Sequence, residues 1–115
     1  MATTTPTITR YRGDTVADQF ILVDGNNVAI DITTGFSFRL TVNSEQNPVD
    51  ASNQLYSLVG AITNGPAGAY EFSPSALQAD QAPATYFYDV EVTDPSGKIK
   101  TVEKGKYIYK QDIGK

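Results

Sequence analysis

The sequence predicts an all-β fold, an immunoglobulin-like β-sandwich of seven or eight short antiparallel strands. Apolar residues alternate with polar ones over short runs, turn-forming residues recur at short intervals, and no stretch keeps helical periodicity for long. These features are typical of sandwiches and small barrels. The number of strands and the spacing of the turns favour the sandwich. A small barrel is the alternative architecture.

The first half of the chain contains four predicted strands. The fourth has one apolar face, because Phe36, Phe38, Leu40 and Val42 fall on one side and polar residues on the other. Asp24 and Gly25, followed by two asparagines, predict the turn of a hairpin, since Gly and Asn tolerate positive φ angles. The predicted strands span residues 6–11, 18–23, 28–32 and 36–42.

The second half of the chain continues the same pattern. Asp94-Pro95-Ser96-Gly97 predicts a hairpin turn, and Tyr86 or Tyr88 is placed to form a tyrosine corner. Residues 73–78 could form one helical turn, with Leu77 filling the core between the sheets. Predicted strands span residues 54–63, 69–72, 84–93, 98–103 and 107–110, with a bulge at Lys104-Gly105.

The domain organisation is simple. Residues 1–7 form a polar, β-prone N-terminal arm, and residues 8–115 form a single β-sandwich domain. The arm lacks the pattern of a cleaved signal peptide, and no apolar run is long enough to predict a membrane span.

The composition argues against catalysis. The chain has no cysteine and no histidine, so the usual ligands of zinc, copper and haem are missing and Ser-His-Asp chemistry is excluded. The Asp24 turn lacks the further acidic positions of a calcium loop. Asp89 and Glu91 are interpreted as solvent-side residues facing Lys98 and Lys100 across a hairpin, in preference to a glycosidase dyad. We expect no enzyme activity, no cofactor and no metal.

The charges are unevenly distributed. Residues 1–94 carry three arginines against eleven acids, whereas residues 95–115 carry six lysines against two acids. A basic end on an acidic body favours head-to-tail packing of subunits in a homo-oligomer over nucleic-acid binding. The alternative is a solvated edge strand protected by its lysines. The predicted interface residues are Lys98, Lys100, Lys104, Lys106, Tyr107, Tyr109 and Lys110.

The aromatic residues allow two interpretations. Alternation places most of the seven tyrosines and five phenylalanines in the core. The remainder could stack on sugar rings or could serve a protein interface, where tyrosine is enriched. The rings expected to be exposed are Tyr56, Phe87 and either Tyr107 or Tyr109.

The tripeptide Arg12-Gly13-Asp14 is the motif that adhesion proteins present to integrins. It lies where the first predicted strand ends and the second begins. Gly13 permits a sharp bend, and Asp14 can accept hydrogen bonds from nearby backbone N–H groups. The sequence therefore predicts a structural bend and no integrin binding, because short motifs match by chance often.

A resemblance extends over the chain from Ile8 to Ile113. The segments that carry it are Arg12-Gly13-Asp14-Thr15, Phe20-Ile21-Leu22, Asp24-Gly25, Asp31-Ile32-Thr33-Thr34-Gly35, Gly68-Ala69-Tyr70-Glu71-Phe72, Thr85-Tyr86-Phe87-Tyr88-Asp89-Val90-Glu91-Val92, Gly97-Lys98-Ile99-Lys100-Thr101-Val102-Glu103-Lys104-Gly105 and Asp112-Ile113. In this order they resemble small β-sandwich proteins of tailed bacteriophages, in particular the N-terminal domain of the baseplate upper protein family. Thr34 is an addition to that pattern.

The resemblance implies a virion structural protein, made in the host cytoplasm, whose partners are other virion proteins. We expect a tail, baseplate or fibre-attachment role that works through protein–protein packing. The alternatives are a capsid decoration protein of the same fold and a carbohydrate-binding β-sandwich module. No membrane partner is expected.

Overall fold

The computed structural model describes residues 7–46 and 52–111, and eight strands within them form two packed sheets. The larger sheet has the strand order β1-β8-β7-β3-β4, and the smaller sheet has the order β2-β6-β5. The strands are β1 (Ile8–Tyr11), β2 (Asp18–Ile21), β3 (Ser37–Asn43), β4 (Gln54–Val59), β5 (Ala61–Asn64), β6 (Ala69–Phe72), β7 (Ala84–Thr93) and β8 (Ile99–Lys110).

This topology confirms the predicted immunoglobulin-like sandwich. β3, β7 and β8 take the positions of the C, F and G strands, β4 adds a C′ strand, and β2, β6 and β5 take the B, E and D positions. The expectation of purely antiparallel pairing is wrong at one place. β1 pairs with the end of β8 in parallel, with Ile8 opposite Tyr107 and Tyr11 opposite Lys110.

Aromatic rings fill the space between the two sheets. Phe38 and Tyr70 stack across it with their ring centroids 3.8 Å apart, and the ring centroids of Phe20 and Tyr88 are 6.3 Å apart. β2 and β7, which carry Phe20 and Tyr88, correspond to the two strands that a disulfide joins in antibody domains. Each fully buried ring of this kind contributes roughly 1.5–3 kcal/mol of hydrophobic stabilisation.

A tyrosine corner fixes the start of β7. The Tyr86 hydroxyl donates a hydrogen bond to the backbone oxygen of Ala82 at 2.7 Å. Tyr86 also stands two residues before the core ring Tyr88, which is the spacing that such corners have to the cysteine of antibody domains. The structure thus selects Tyr86 from the two tyrosines that the sequence offered.

The chain changes sheets at Gly60, where the sequence had suggested one continuous strand over residues 54–63. β4 belongs to the larger sheet and β5 to the smaller one. The Gly60 N–H donates to the Phe38 oxygen at 2.8 Å, and a Cβ at this position would lie 2.9 Å from the Phe38 Cβ. Only glycine lets the crossing chain pack this closely against β3.

Two other local predictions are wrong. The expected strand over residues 28–32 reduces to a single bridge between Val23 and Ala29. The helical turn begins at Ser75, whose hydroxyl accepts from the Gln78 N–H while the Gln78 side chain accepts from the Ser75 N–H. This turn points Leu77 outward, where it is 82% exposed, and buries Ala79 in its place.

The bulge in β8 lies earlier than predicted. Thr101 pairs with Glu91 and Glu103 pairs with Val90, so Val102 is the extra residue. The parts of the chain outside the described residues include most of the predicted N-terminal arm, residues 47–51 of the loop after β3, and the Asp112-Ile113 element of the resemblance.

Candidate interaction surfaces

Arg10 holds β1 and the following loop from inside the sandwich. Its Nη1 donates to Asp18 Oδ1 at 3.0 Å and to the Tyr107 hydroxyl at 3.1 Å. Its Nη2 donates to the backbone oxygens of Asp14 and Val16 at 2.7 and 2.8 Å. The Tyr107 hydroxyl in turn donates to Asp18 Oδ2. The five groups form one buried polar cluster, which the sequence reading did not anticipate.

The electrostatics of this cluster favour a structural role. Burial raises the pKa of Asp18, and this effect is opposed by the Tyr107 hydrogen bond and by the Arg10 charge. Burial, followed by the neighbouring Tyr56 and Asp18, raises the pKa of Tyr107, so this hydroxyl stays protonated and acts as a donor. Because the Arg10 and Asp18 side chains are both largely shielded from solvent, the cluster anchors the chain instead of presenting reactive groups.

Two tyrosines of the predicted interface are buried. Tyr107 is 0% exposed and Tyr109 is 1% exposed, and the Tyr109 hydroxyl lies 2.5 Å from that of Tyr56, which is also buried. The predicted exposure of Tyr56, and of either Tyr107 or Tyr109, is wrong. The physical reason is the bulge at Val102, which shifts the alternation by one residue and turns Tyr107 and Tyr109 inward. Phe87 is half-buried on the outer face.

The lysines of β8 separate into two groups on different sides of the larger sheet. Lys104 and Lys106 lie opposite Asp89 and Phe87 and project from the outer face. Lys110, at the end of β8, is also exposed. Lys100 shares the inner side with its register partner Val92, and together with Lys98 it borders an apolar groove. The bulge at Val102 again causes this division.

The basic segment of the sequence is therefore not a basic end of the molecule. β8 runs along the whole length of β7, from the hairpin turn at Asp94 to the row of Tyr109 and Ala84. The lysines of residues 98–110, called the lysine stripe below, are therefore spread along the length of the sandwich, on both sides of the larger sheet. Head-to-tail packing of subunits stays a prediction.

The Arg12-Gly13-Asp14 segment forms a turn that backbone hydrogen bonds hold in place. Gly13 has a φ of 84°, the Asp14 N–H donates to the Tyr11 oxygen at 3.1 Å, and the Gly13 N–H donates to the Ala79 oxygen at 2.8 Å. Arg12 pairs with Asp80 at 2.6 Å. Gly13 and Asp14 thus act as turn residues, and the absence of integrin binding stays a prediction.

The turns at Asp24 and Asp94 share one hydrogen-bonding pattern. Asp94 Oδ1 accepts from the N–H groups of Ser96 and Lys98, both at 2.9 Å, and Gly97 adopts a φ of 88°. Asp24 Oδ1 accepts in the same way from the backbone N–H groups of Asn26 and Val28, at 2.8 and 3.0 Å.

In the first of these turns the residue with positive φ is Asn27, at 63°, and Gly25 is absent from the positive-φ residues. Gly25 therefore lies in the turn without supplying the left-handed conformation expected of it. Gly97 does supply it in the second turn.

Asp89 and Glu91 lie side by side on the outer face, and their neighbours differ from those predicted. Asp89 is opposite Lys104 and Glu91 is opposite Thr101, while Arg39 flanks Glu91 from β3. Burial and then the Glu91 charge raise the pKa of Asp89, with Lys104 acting in the opposite direction. Both carboxylates lie on a sheet surface among strand residues.

An open groove is bordered by two polar residues that the sequence did not single out. It is lined by Phe20 of β2, Tyr70 of β6 and Glu103 of β8. The Tyr70 hydroxyl and Glu103 Oε1 are buried and accept or donate no hydrogen bond within the described residues. Burial raises the pKa of both groups. The inward direction of Glu103 depends on the Val102 bulge, so sequence alternation alone could not reveal it.

The described residues contain no group of three or more metal-ligating side chains and no helix that could cross a membrane. No protein-family model matches this chain, and no curated protein matches it significantly. The resemblance to the baseplate upper protein family therefore stays a prediction.

Proposed function

We propose that the protein is a non-enzymatic structural component of a tailed-bacteriophage virion, located in the tail, the baseplate or a fibre attachment. It works by packing against copies of itself and against neighbouring virion proteins. This proposal rests on the sequence resemblance together with the surfaces that the sandwich exposes.

The observation that carries the proposal is the half-covered edge of β8. β1 pairs only with residues 107–110 of this strand, and no described residue pairs with residues 99–106 on the side away from β7. Unpaired strand edges are sites at which another chain can add a strand. Lysines are exposed along the same strand, and such charges orient an approaching acidic surface.

The polar groups of the interior give further support to a structural role. Arg10 and Asp18 are committed to each other and to holding the loop after β1. The burial of Tyr56, Tyr107 and Tyr109 also leaves only Phe87 of the rings that the sequence suggested for sugar binding. The carbohydrate-binding alternative is therefore the weaker one.

Purified phage particles provide the test. Mass spectrometry should find the protein in particles in multiple copies, and gold-labelled antibody should place it at the tail or baseplate. Labelling over the head would favour the capsid decoration alternative. Absence from particles, combined with strong binding of the monomer on a glycan array, would overturn the proposal.

A further inference from the structure

A hydrogen-bonded turn over residues 75–79, called the Leu77 turn below, presents an apolar side chain at one end of the sandwich. The Leu77 side chain is 82% exposed, more than any other large apolar side chain among the described residues. Ser75 and Gln78 cap each other at the start of the turn. The Gly13 N–H donates to the Ala79 oxygen at its end, at 2.8 Å. Leu77 is therefore held in position before a partner arrives, which lowers the entropic cost of binding.

An apolar groove lies beside the turns at Asp24 and Asp94. Its volume is about 530 Å³, and concave apolar sites of this size are typical of binding sites. The chain over residues 28–32 forms one bridge instead of the expected strand, and the side chains of Ile30 and Phe36 stay only partly buried. The apolar lining of the groove includes Leu22, Ile30, Phe36, Val92 and Val102.

The Leu77 turn and the groove lie at opposite ends of the molecule. The turn precedes Ala84, the first residue of β7, and Gly13 holds it just beyond the row of Tyr11 and Lys110. The groove is next to Asp94, which follows the last residue of β7. The ten residues of β7 span about 30 Å, so a molecule cannot place Leu77 in its own groove. The two features can meet only between molecules.

We propose that copies of this chain associate head to tail, with Leu77 of one copy seated in the apolar groove of the next. This inference rests on the proposed function and specifies how copies of the chain join. A leucine on a turn can enter a groove, whereas an exposed apolar residue on a sheet, such as Val59 of β4, presents a flatter surface. The contact joins two different surfaces, so it repeats from copy to copy and builds rings or filaments.

The charges around the two surfaces are compatible with this contact. Asp80, three residues after Leu77, has a side chain that is 54% exposed and pairs with Arg12. Lys98 and Lys100 are exposed at the border of the groove. The two turn aspartates that also border it accept hydrogen bonds from the backbone of their own turns. Asp80 can therefore approach the lysines while Leu77 enters the groove, and this attraction orients the arriving copy.

Paired cysteines test this arrangement directly, because the chain contains no cysteine. Ala76→Cys places a thiol beside Leu77, and Lys98→Cys places one beside the groove. The double variant, oxidised after purification, should form a ladder of dimers, trimers and larger species on a non-reducing gel. Each single variant offers one half of the contact and should stay monomeric. The matched control, Ala76→Cys/Thr85→Cys, has both thiols at one end of the sandwich and should form no ladder.

A second pair of variants tests Leu77 itself. In the double-cysteine chain, Leu77→Ser should lower the yield of the ladder about tenfold or more, because the apolar side chain that the groove buries is lost. Val59→Ser is the control, since Val59 is 71% exposed and lies outside both surfaces, and it should leave the ladder unchanged. Both side chains are exposed, so neither change should alter the melting temperature of the dilute protein.

Each outcome decides the question. A ladder in the double variant that Leu77→Ser diminishes and Val59→Ser does not supports the head-to-tail contact. Absence of a ladder, or a ladder that Leu77→Ser leaves unchanged, overturns it. Dimers of the single variants in equal yield also overturn it, since like ends would then meet. The experiment uses purified protein, so absence from phage particles would refute the proposed function and leave this result standing.

Discussion

Arg10 illustrates how one buried side chain can determine the course of a loop. Its guanidinium group joins β1 to Asp18 at the start of β2, to Tyr107 of β8 and to two backbone oxygens in the loop between β1 and β2. A buried ion pair adds little net stability compared with an apolar replacement of both partners, but removing one partner leaves an uncompensated charge.

We therefore expect Arg10→Met to lower the free energy of unfolding by about 3–5 kcal/mol, because Asp18 would remain buried without its cation. Urea denaturation followed by tyrosine fluorescence measures the change. Arg39→Met is the control, since Arg39 is exposed on β3, and it should change stability by less than about 0.5 kcal/mol. Similar effects of the two substitutions would refute the anchoring role of Arg10.

Tyr86 allows a second test at the scale of one hydrogen bond. Tyr86→Phe removes the hydroxyl that donates to Ala82 and leaves the ring in place. The expected loss of stability is about 1 kcal/mol, the usual net contribution of such a bond. Tyr11→Phe, at a half-exposed position, is the matched control and should be neutral. A neutral Tyr86→Phe variant would mean that the corner bond contributes nothing.

At the scale of elements, the two aspartate turns make stability dependent on pH. Hydrogen bonds from the Ser96 side chain and from the N–H groups of Lys98 and Ser96 lower the pKa of Asp94. The N–H groups of Val28 and Asn26 do the same for the pKa of Asp24. A carboxylate with a lowered folded pKa stabilises the fold above its unfolded pKa of about 3.9, and this contribution is lost as pH falls through the folded value.

Asp94→Asn should accordingly be less stable than the parent chain at neutral pH. The difference should shrink as pH falls below about 4, where the parent aspartate also becomes neutral. Thermal melts over a pH series measure it. Asp89→Asn should show the opposite trend, because burial raises the pKa of Asp89 and its charged form is the costly one. Parallel pH profiles for the two variants would contradict this account.

The bulge at Val102 determines which side chains of β8 face the core and which face outward. One extra residue in β8 turns Tyr107 and Tyr109 into the core, directs Glu103 to the groove beside Phe20 and Tyr70, and leaves Lys104 and Lys106 on the outer face. A strand slipped by one residue exchanges its two faces, so a bulge has the same effect on everything that follows it.

At the scale of the whole molecule, the lysine stripe should affect how fast copies associate. The remainder of the chain, residues 1–94, carries three arginines against eleven acids. We expect Lys106→Glu/Lys110→Glu to slow self-association about tenfold or more at low salt, since opposite charges increase encounter rates. Stopped-flow light scattering measures the rate.

The salt dependence separates steering from packing. The difference between parent and variant should fade towards 1 M salt, where the screening length is about 3 Å. Lys106→Arg/Lys110→Arg keeps both charges and should associate at the parent rate. A rate defect that persists at high salt would show that the lysines act through direct contacts instead of long-range attraction.

The sequence by itself determined the fold class, the hairpin turn at Asp94 and Gly97, and the pair of tyrosines from which the corner is drawn. These follow from preferences that extend over a few residues, such as the two-residue period of a strand or the ability of an aspartate to accept from the backbone ahead of it. Only the tertiary structure decided that β1 pairs with β8 in parallel, that Arg10 meets Tyr107 across 97 positions, and that the bulge falls at Val102. Those features depend on which distant strands pair and in what register. The local sequence pattern allows several registers, and packing between the two sheets selects one of them.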